Sequence, residues 1–207
     1  MIRNTAVTVC GPLNVNKLGV TYVHEHLMVK PQLPDEYYIP YTLDDEAAST
    51  EETRSFSAAG GETLVEMTPI NYGRNVKAYQ RIAQATGVHV ICCTGFHKQL
   101  FMPPWFDDKT DGELYDILMD EITNGLDGTE IHPGVIKLGT SFEEVTAAEK
   151  RSIEAVARVH RDTGIPISTH CDKGTMGMDQ LRLLEKHGVD PKNVLLCHID
   201  SKMDTDY

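Results

Sequence analysis

Three things are scarce in this 207-residue chain: cysteine in paired spacing, long apolar runs and basic charge. Its five cysteines, Cys10, Cys92, Cys93, Cys171 and Cys197, are odd in number and form no CxxC. That pattern excludes a disulfide framework or a structural zinc knuckle and predicts reduced thiols packed as small hydrophobes. No stretch approaches the roughly 18 consecutive apolar residues of a bilayer span, and MIRNTAVTVCG lacks the apolar run of a secretory signal. The expectation is a cytoplasmic protein. With 19 basic against 31 acidic side chains the formal charge is −12, which repels phosphate backbones and anionic headgroups. No locally basic face offsets it, so nucleic-acid and membrane partners are not expected. Internal repeats, low-complexity tracts and linkers are also missing, which predicts one domain over residues 1–207.

What is present is alternation. Val20–His24, Thr63–Met67, Val88–Thr94, Gly134–Leu138, Pro166–His170 and Asn193–His198 are rich in Val, Ile, Leu or Thr and bounded by Gly, Pro or polar turns, as strands are. Helical patterns lie between them. Asp111–Asn124 puts Leu114, Ile117, Leu118 and Ile122 on one face, Glu149–Arg161 does so with Ile153, Val156 and Ala157, and Met178, Leu181 and Leu184 precede a capping Gly188. Asp44, Asp45, Glu46, Glu51 and Glu52 open the first helical region, a solvated face with charges suited to a helix N-terminus. Strand, helix, strand at this spacing means parallel strands joined by crossover helices, hence an α/β fold. A hairpin over 5–15, from Thr5–Val9 and Leu13–Val15, precedes the six strands.

Nine histidines raise the question of convergence. In VTYVHEHL, strand alternation puts His24 and His26 on one face, a ready metal chelate, with Glu25 pointing elsewhere. His170 ends GIPISTH, His198 ends NVLLCH and Lys137 lies in GVIKLGTS, each at the carboxyl end of a predicted strand. That edge is where α/β sheets and barrels gather functional side chains. An ammonium at Lys137 would be costly among apolar strands. Either it has reacted with carbon dioxide to form an anionic carbamate ligand, or it snorkels to water or pairs with an acid. His89, His132, His160 and His187 suit surface or capping roles, and Cys197 suits packing.

The pieces GPLNVNKLGVTYVHEHL, GGETLVEMTPINYGRN, ATGVHVICCTGFHK, GVIKLGTS and STHCDKGTMGMDQLRLLEKHGVDPKNVLLCHIDSKMD resemble, in order and over essentially the whole chain, the phosphotriesterase family of the amidohydrolase superfamily, with its phosphotriesterase-related and lactonase-like members. The resemblance implies a (β/α)8 TIM barrel of the metal-dependent hydrolase type, here about six βα units. It also implies two divalent metal ions, by preference Zn2+, with Mn2+ or Co2+ as alternatives. His24 and His26 would bind the more buried ion, His170 and His198 the more exposed one, and Lys137, carbamylated, would bridge them. A further family ligand, an Asp at the end of the eighth strand, has no counterpart here; Asp200, Asp204 and Asp206 do not fill its role. The expectation is therefore an incomplete barrel, foremost a fragment or truncated product of a hydrolase with weak or absent activity alone, or else one that another chain completes.

The implied chemistry is attack by a metal-bridged hydroxide on an ester, foremost a lactone or carboxylic ester, including sugar and phosphosugar lactones. Phosphotriester and amide hydrolysis follow as alternatives. In TGFHK, His97 and Lys98 are candidate contacts for an anionic substrate group, or else belong to a solvated loop. Arg74 is a second anion contact or, in preference, a surface ion pair. A catalytically silent chain that binds a complementary chain, or itself, is the alternative from another class.

Overall fold

The computed structural model describes residues 4–31 and 42–203. The chain forms two compact units, Met1–Thr94 with Glu121–Gly134, and Gly95–Asp120 with Val135–Tyr207.

In the first unit, β1 (Thr5–Thr8) and β2 (Gly11–Asn14) pair antiparallel as the expected hairpin. β3 (Thr21–Glu25), β4 (Thr63–Glu66) and β5 (His89–Gly95) follow as parallel neighbours with β4 in the middle. The acidic cluster starts α1 (Glu46–Ala58) because the Asp45 carboxylate accepts the N–H groups of Ala47 and Ala48. Asn75 caps α2 (Val76–Thr86) in the same way, and Gly87 ends it in the left-handed region at φ 76°. α2 buries Val76, Ala78, Tyr79, Ile82 and Ala83. They share a core with Leu64, Val90 and Cys92, each large aliphatic contributing about 1.5–3 kcal/mol by leaving water.

In the second unit, β6 (Val135–Thr140), β7 (Ile167–Cys171) and β8 (Val194–Leu195) are parallel, with β7 between the others. Every residue of β6 is buried, which is why it reads as a continuous rather than alternating run. α4 (Ala147–Thr163) opens on a reciprocal capping box between Thr146 and Glu149 and ends at Gly164. α5 (Gly177–Lys186) is followed by Gly188 at φ 83°. α3 (Asp111–Asn124) has the bounds expected of it and buries Leu114 and Leu118, while Ile117 and Ile122 are half-buried.

Five of the six main strands lie within two residues of their expected bounds. The last does not. Instead of running Asn193–His198, β8 is two residues long. It pairs with β7 at Val194 and Leu195, and the backbone then turns, with His198 left-handed at φ 67° ahead of a 3-10 turn over Ile199–Ser201. The apolar run NVLLCH signals a buried strand, yet Leu195 is exposed and only Cys197 of the run is buried; the turn keeps one link to β7, Cys171 N–H donating to the Cys197 carbonyl at 3.3 Å.

Candidate functional site

In the first unit the sequence placed His24 and His26 on one face of a strand by alternation. β3 ends at Glu25, and its register with β4 breaks between Tyr22 and Glu25. His26 thus lies beyond the strand, a correction to simple alternation. The rings nevertheless adjoin, with centroids 5.6 Å apart. Behind His26 stands a polar network that the sequence did not reveal. His26 Nδ1 lies 2.8 Å from Thr68 Oγ1, which donates to Glu66 Oε1 at 2.6 Å. The Glu66 carboxyl also accepts the N–H groups of Leu27 and Thr68, each at 3.1 Å. Burial pushes this carboxyl up to about 7, against the hydrogen bonds from Thr68, Leu27 and Tyr79.

In the second unit Lys137 is the third residue of β6 and wholly buried. It lies inside the strand rather than at its end, because β6 runs on to Thr140. His170 is the penultimate residue of β7, and the turn after β8 brings the His198 ring to 4.8 Å from it, centroid to centroid. His198 is held below the ordinary imidazole range by burial first and by the Lys137 charge second, with Asp200 and Asp172 opposing. Gln180, wholly buried, donates to the His170 carbonyl at 2.8 Å and so fixes the backbone that carries the ring.

The His97–Lys98 segment is not a solvated loop. His97 is 3% exposed, its ring between Phe101 at 4.8 Å and His170 at 4.5 Å. Lys98 N–H donates to His97 Nδ1 at 2.7 Å, and the Lys98 ammonium pairs with Asp172 at 2.6 Å. Gly139 makes room for the segment, since a Cβ there would lie 2.9 Å from Lys98 N and 3.4 Å from His170 Cβ. Glu149 ties the segment down by accepting Gln99 N–H at 2.9 Å and the Ser141 hydroxyl at 2.6 Å.

Other candidates resolve as structure. Arg74 is an ion pair as expected, but a buried one: its side chain is 5% exposed and binds Glu121 and Asp127. His160 is buried with Nδ1 at 2.7 Å from the Ile165 carbonyl, His132 Nδ1 lies 3.0 Å from the Ile122 carbonyl, and His187 caps α5. Cys197 is buried 3.5 Å from the Ser168 hydroxyl. Burial pushes the Cys171 thiol up to about 11 and Cys92 to about 12, too high for thiolate chemistry near neutrality. Asp204 and Asp206 lie outside the described residues.

Among the described residues, no three His, Cys, Asp or Glu side chains form a group of metal-holding geometry. His24 and His26 adjoin each other, and His170 adjoins both His97 and His198. Two nitrogens each about 2.0–2.1 Å from a tetrahedral zinc place their ring centroids roughly 5 Å apart. The 5.6 Å of His24 and His26 and the 4.8 Å of His170 and His198 lie on either side of that value.

Comparison with known proteins adds the wider frame. The family model described as "Phosphotriesterase family" matches residues 4–207. The phosphotriesterase homology protein of Escherichia coli is 35% identical over 195 residues, covering 94% of this chain and 66% of that protein. A phospho-furanose lactonase of Mycoplasmopsis synoviae is 31% identical over 223 residues, covering 100% of this chain and 63% of its own length. Among solved structures, a lactonase from Listeria monocytogenes superposes with a TM-score of 0.91 at 30% identity, covering 97% of this chain and 67% of that one. The chain thus spans slightly less than two thirds of the length of these curated relatives.

Proposed function

The chain belongs to the phosphotriesterase family, carrying among its described residues six parallel strands and five α-helices of its α/β barrel fold, and on that premise we propose that it is a metal-dependent hydrolase of ester bonds, foremost lactones. His24 and His26 would hold one divalent ion, His170 and His198 a second, and Lys137, as a carbamate, would be a further ligand. Zinc suits this imidazole and carboxylate donor set, and manganese or cobalt fit it too. When bound, such ions supply Lewis acidity that polarises the ester carbonyl and acidifies the attacking water.

The observation that carries the reading is the complete burial of Lys137. A charged amine without solvent is costly, whereas a carbamate beside cations is stabilised by them. This chain's residues otherwise orient. Thr68 holds the His26 ring, Gln180 holds the His170 backbone, and the His97–Phe101 wall keeps water from one side of His170. Lys98 and His97 would receive an anionic substituent, Lys98 exchanging its pairing with Asp172. A phosphorylated sugar lactone answers that description and agrees with the name of the Mycoplasmopsis synoviae relative. Among the described residues no helix is long and apolar enough to cross a membrane, and we assign the chain to the cytoplasm with a small-molecule substrate.

The test is hydrolysis by the purified chain, after zinc, manganese or cobalt loading, of furanose lactones with and without a phosphate and of a dialkyl aryl phosphate. About two ions per chain, preference for the phosphorylated lactone, and loss of activity in Lys137→Ala and His170→Asn are expected. Metal-free folded protein, or equal activity in Lys137→Ala, would overturn the proposal.

A further inference from the structure

We infer that Glu66 and Thr68 are positioning residues that hold His26 in its Nδ1–H tautomer, so that Nε2 bears the lone pair. Thr68 has one hydroxyl proton, and the 2.6 Å contact with Glu66 Oε1 uses it. The same carboxyl oxygen accepts Leu27 N–H at 3.1 Å. As a carboxylate Glu66 only accepts, so the proton in its 2.6 Å contact with Thr68 Oγ1 is the hydroxyl's. Thr68 Oγ1 therefore meets the imidazole as an acceptor, and at 2.8 Å His26 Nδ1 is the donor. With Glu66 ionised, the opposite direction would leave the hydroxyl and the carboxylate 2.6 Å apart with no proton between them.

The frame is rigid. Glu66 lies on the central strand β4, paired with Glu25 on β3 and Cys92 on β5. Thr68 N–H fixes the second carboxyl oxygen at 3.1 Å. Both side chains are fully buried, so no water competes for the relay. A carboxylate acting on an imidazole through a hydroxyl sets ring orientation and raises the basicity of the far nitrogen. What Nε2 then binds rests on the metal-dependent reading above; the tautomer does not.

Long-range proton–nitrogen NMR of the metal-free full chain tests the inference, with the His26 signals identified by their loss in His26→Asn. Wild type and Thr68→Ser should show Nδ1 protonated, while Thr68→Val, whose methyl cannot accept, should shift toward the Nε2–H form. Zinc titration of the same samples should find Thr68→Val about 10–100-fold weaker, with Thr68→Ser near wild type. A wild-type His26 protonated at Nε2, or an undiminished Nδ1–H form in Thr68→Val, overturns the assignment. Unchanged zinc affinity in Thr68→Val despite a changed tautomer overturns the positioning role. A chain that takes up no zinc yet shows the expected tautomers overturns the metal reading and upholds the relay.

Discussion

The backbone N–H of Gln99 donates to the Glu149 carboxylate at 2.9 Å, so the first turn of α4 carries the segment that presents His97 and Lys98. Glu149 is fully buried and also accepts the Ser141 hydroxyl at 2.6 Å and Thr146 N–H at 2.9 Å. Glu149→Ala removes one acceptor from three donors and half of a capping box. The expected loss is about 2–3 kcal/mol, from the Gln99 N–H losing its partner and a weakened cap, while the half-exposed Ser141 hydroxyl turns to water. Urea unfolding with an unchanged m-value checks it. The His97 ring should also become mobile, seen as averaging of its NMR signals.

Glu66 makes stability pH-dependent in a direction opposite to that of most carboxylates. Its folded value is about 7 against an ordinary 4.5. Below the lower value both states hold the proton, and the contribution is fully present. Between the two, the unfolded chain has released a proton that the folded chain keeps, so stability falls as pH rises. Above the upper value the deficit saturates at about 3 kcal/mol. Denaturant titrations of the metal-free chain from pH about 4.5 to about 8 should show this slope in wild type and a flatter one in Glu66→Gln. Parallel slopes would contradict it.

Gly95 closes β5 at φ 112°, with Phe96 N–H donating to the Lys137 carbonyl at 3.2 Å. A Cβ at Gly95 would collide with that carbonyl oxygen. Gly95→Ala therefore combines left-handed strain with a clash against strand backbone. We expect at least about 3 kcal/mol of destabilisation, a fall in Tm of roughly 6–12 °C for a chain of this size. Thermal unfolding followed by circular dichroism measures it.

The two arginine pairs of the first unit should separate sharply. Arg74, 5% exposed, serves Glu121 and Asp127, whereas Arg81, 55% exposed, serves Glu46. Arg74→Met removes a buried cation from Glu121, 14% exposed, and Asp127, 43% exposed, and should cost about 2–3 kcal/mol, below the full buried-pair penalty because water reaches the acids. Arg81→Met, at an exposed and screened pair, should cost far less, and less again in high salt. Equal effects in urea unfolding would show that the Arg74 cluster is wetter than its burial indicates.

Much of the architecture was legible in the residues. α3 follows its Leu114, Ile117, Leu118 periodicity over the expected range, and β1 with β2 forms the expected hairpin. Local spacing suffices there because a helix or hairpin closes its hydrogen bonds among near neighbours. The family could also be read, since its motifs are short strings of fixed order, and the match over residues 4–207 agrees.

Folding settled the environment of the candidate residues. Glu66 and Thr68 are two unremarkable polar residues until Leu27 and His26 lie against them from 39 and 42 positions away. Glu149 reads as a helix-start acid until Gln99 reaches it across 50 residues. Arg74 reads as a surface cation until Glu121 and Asp127 enclose it. In each case burial turns a weak, screened contact into one with large consequences, and burial depends on which distant segments share a core. Residue identity and spacing thus name the donors, while chain packing assigns each its partner, its proton and its degree of exposure to water.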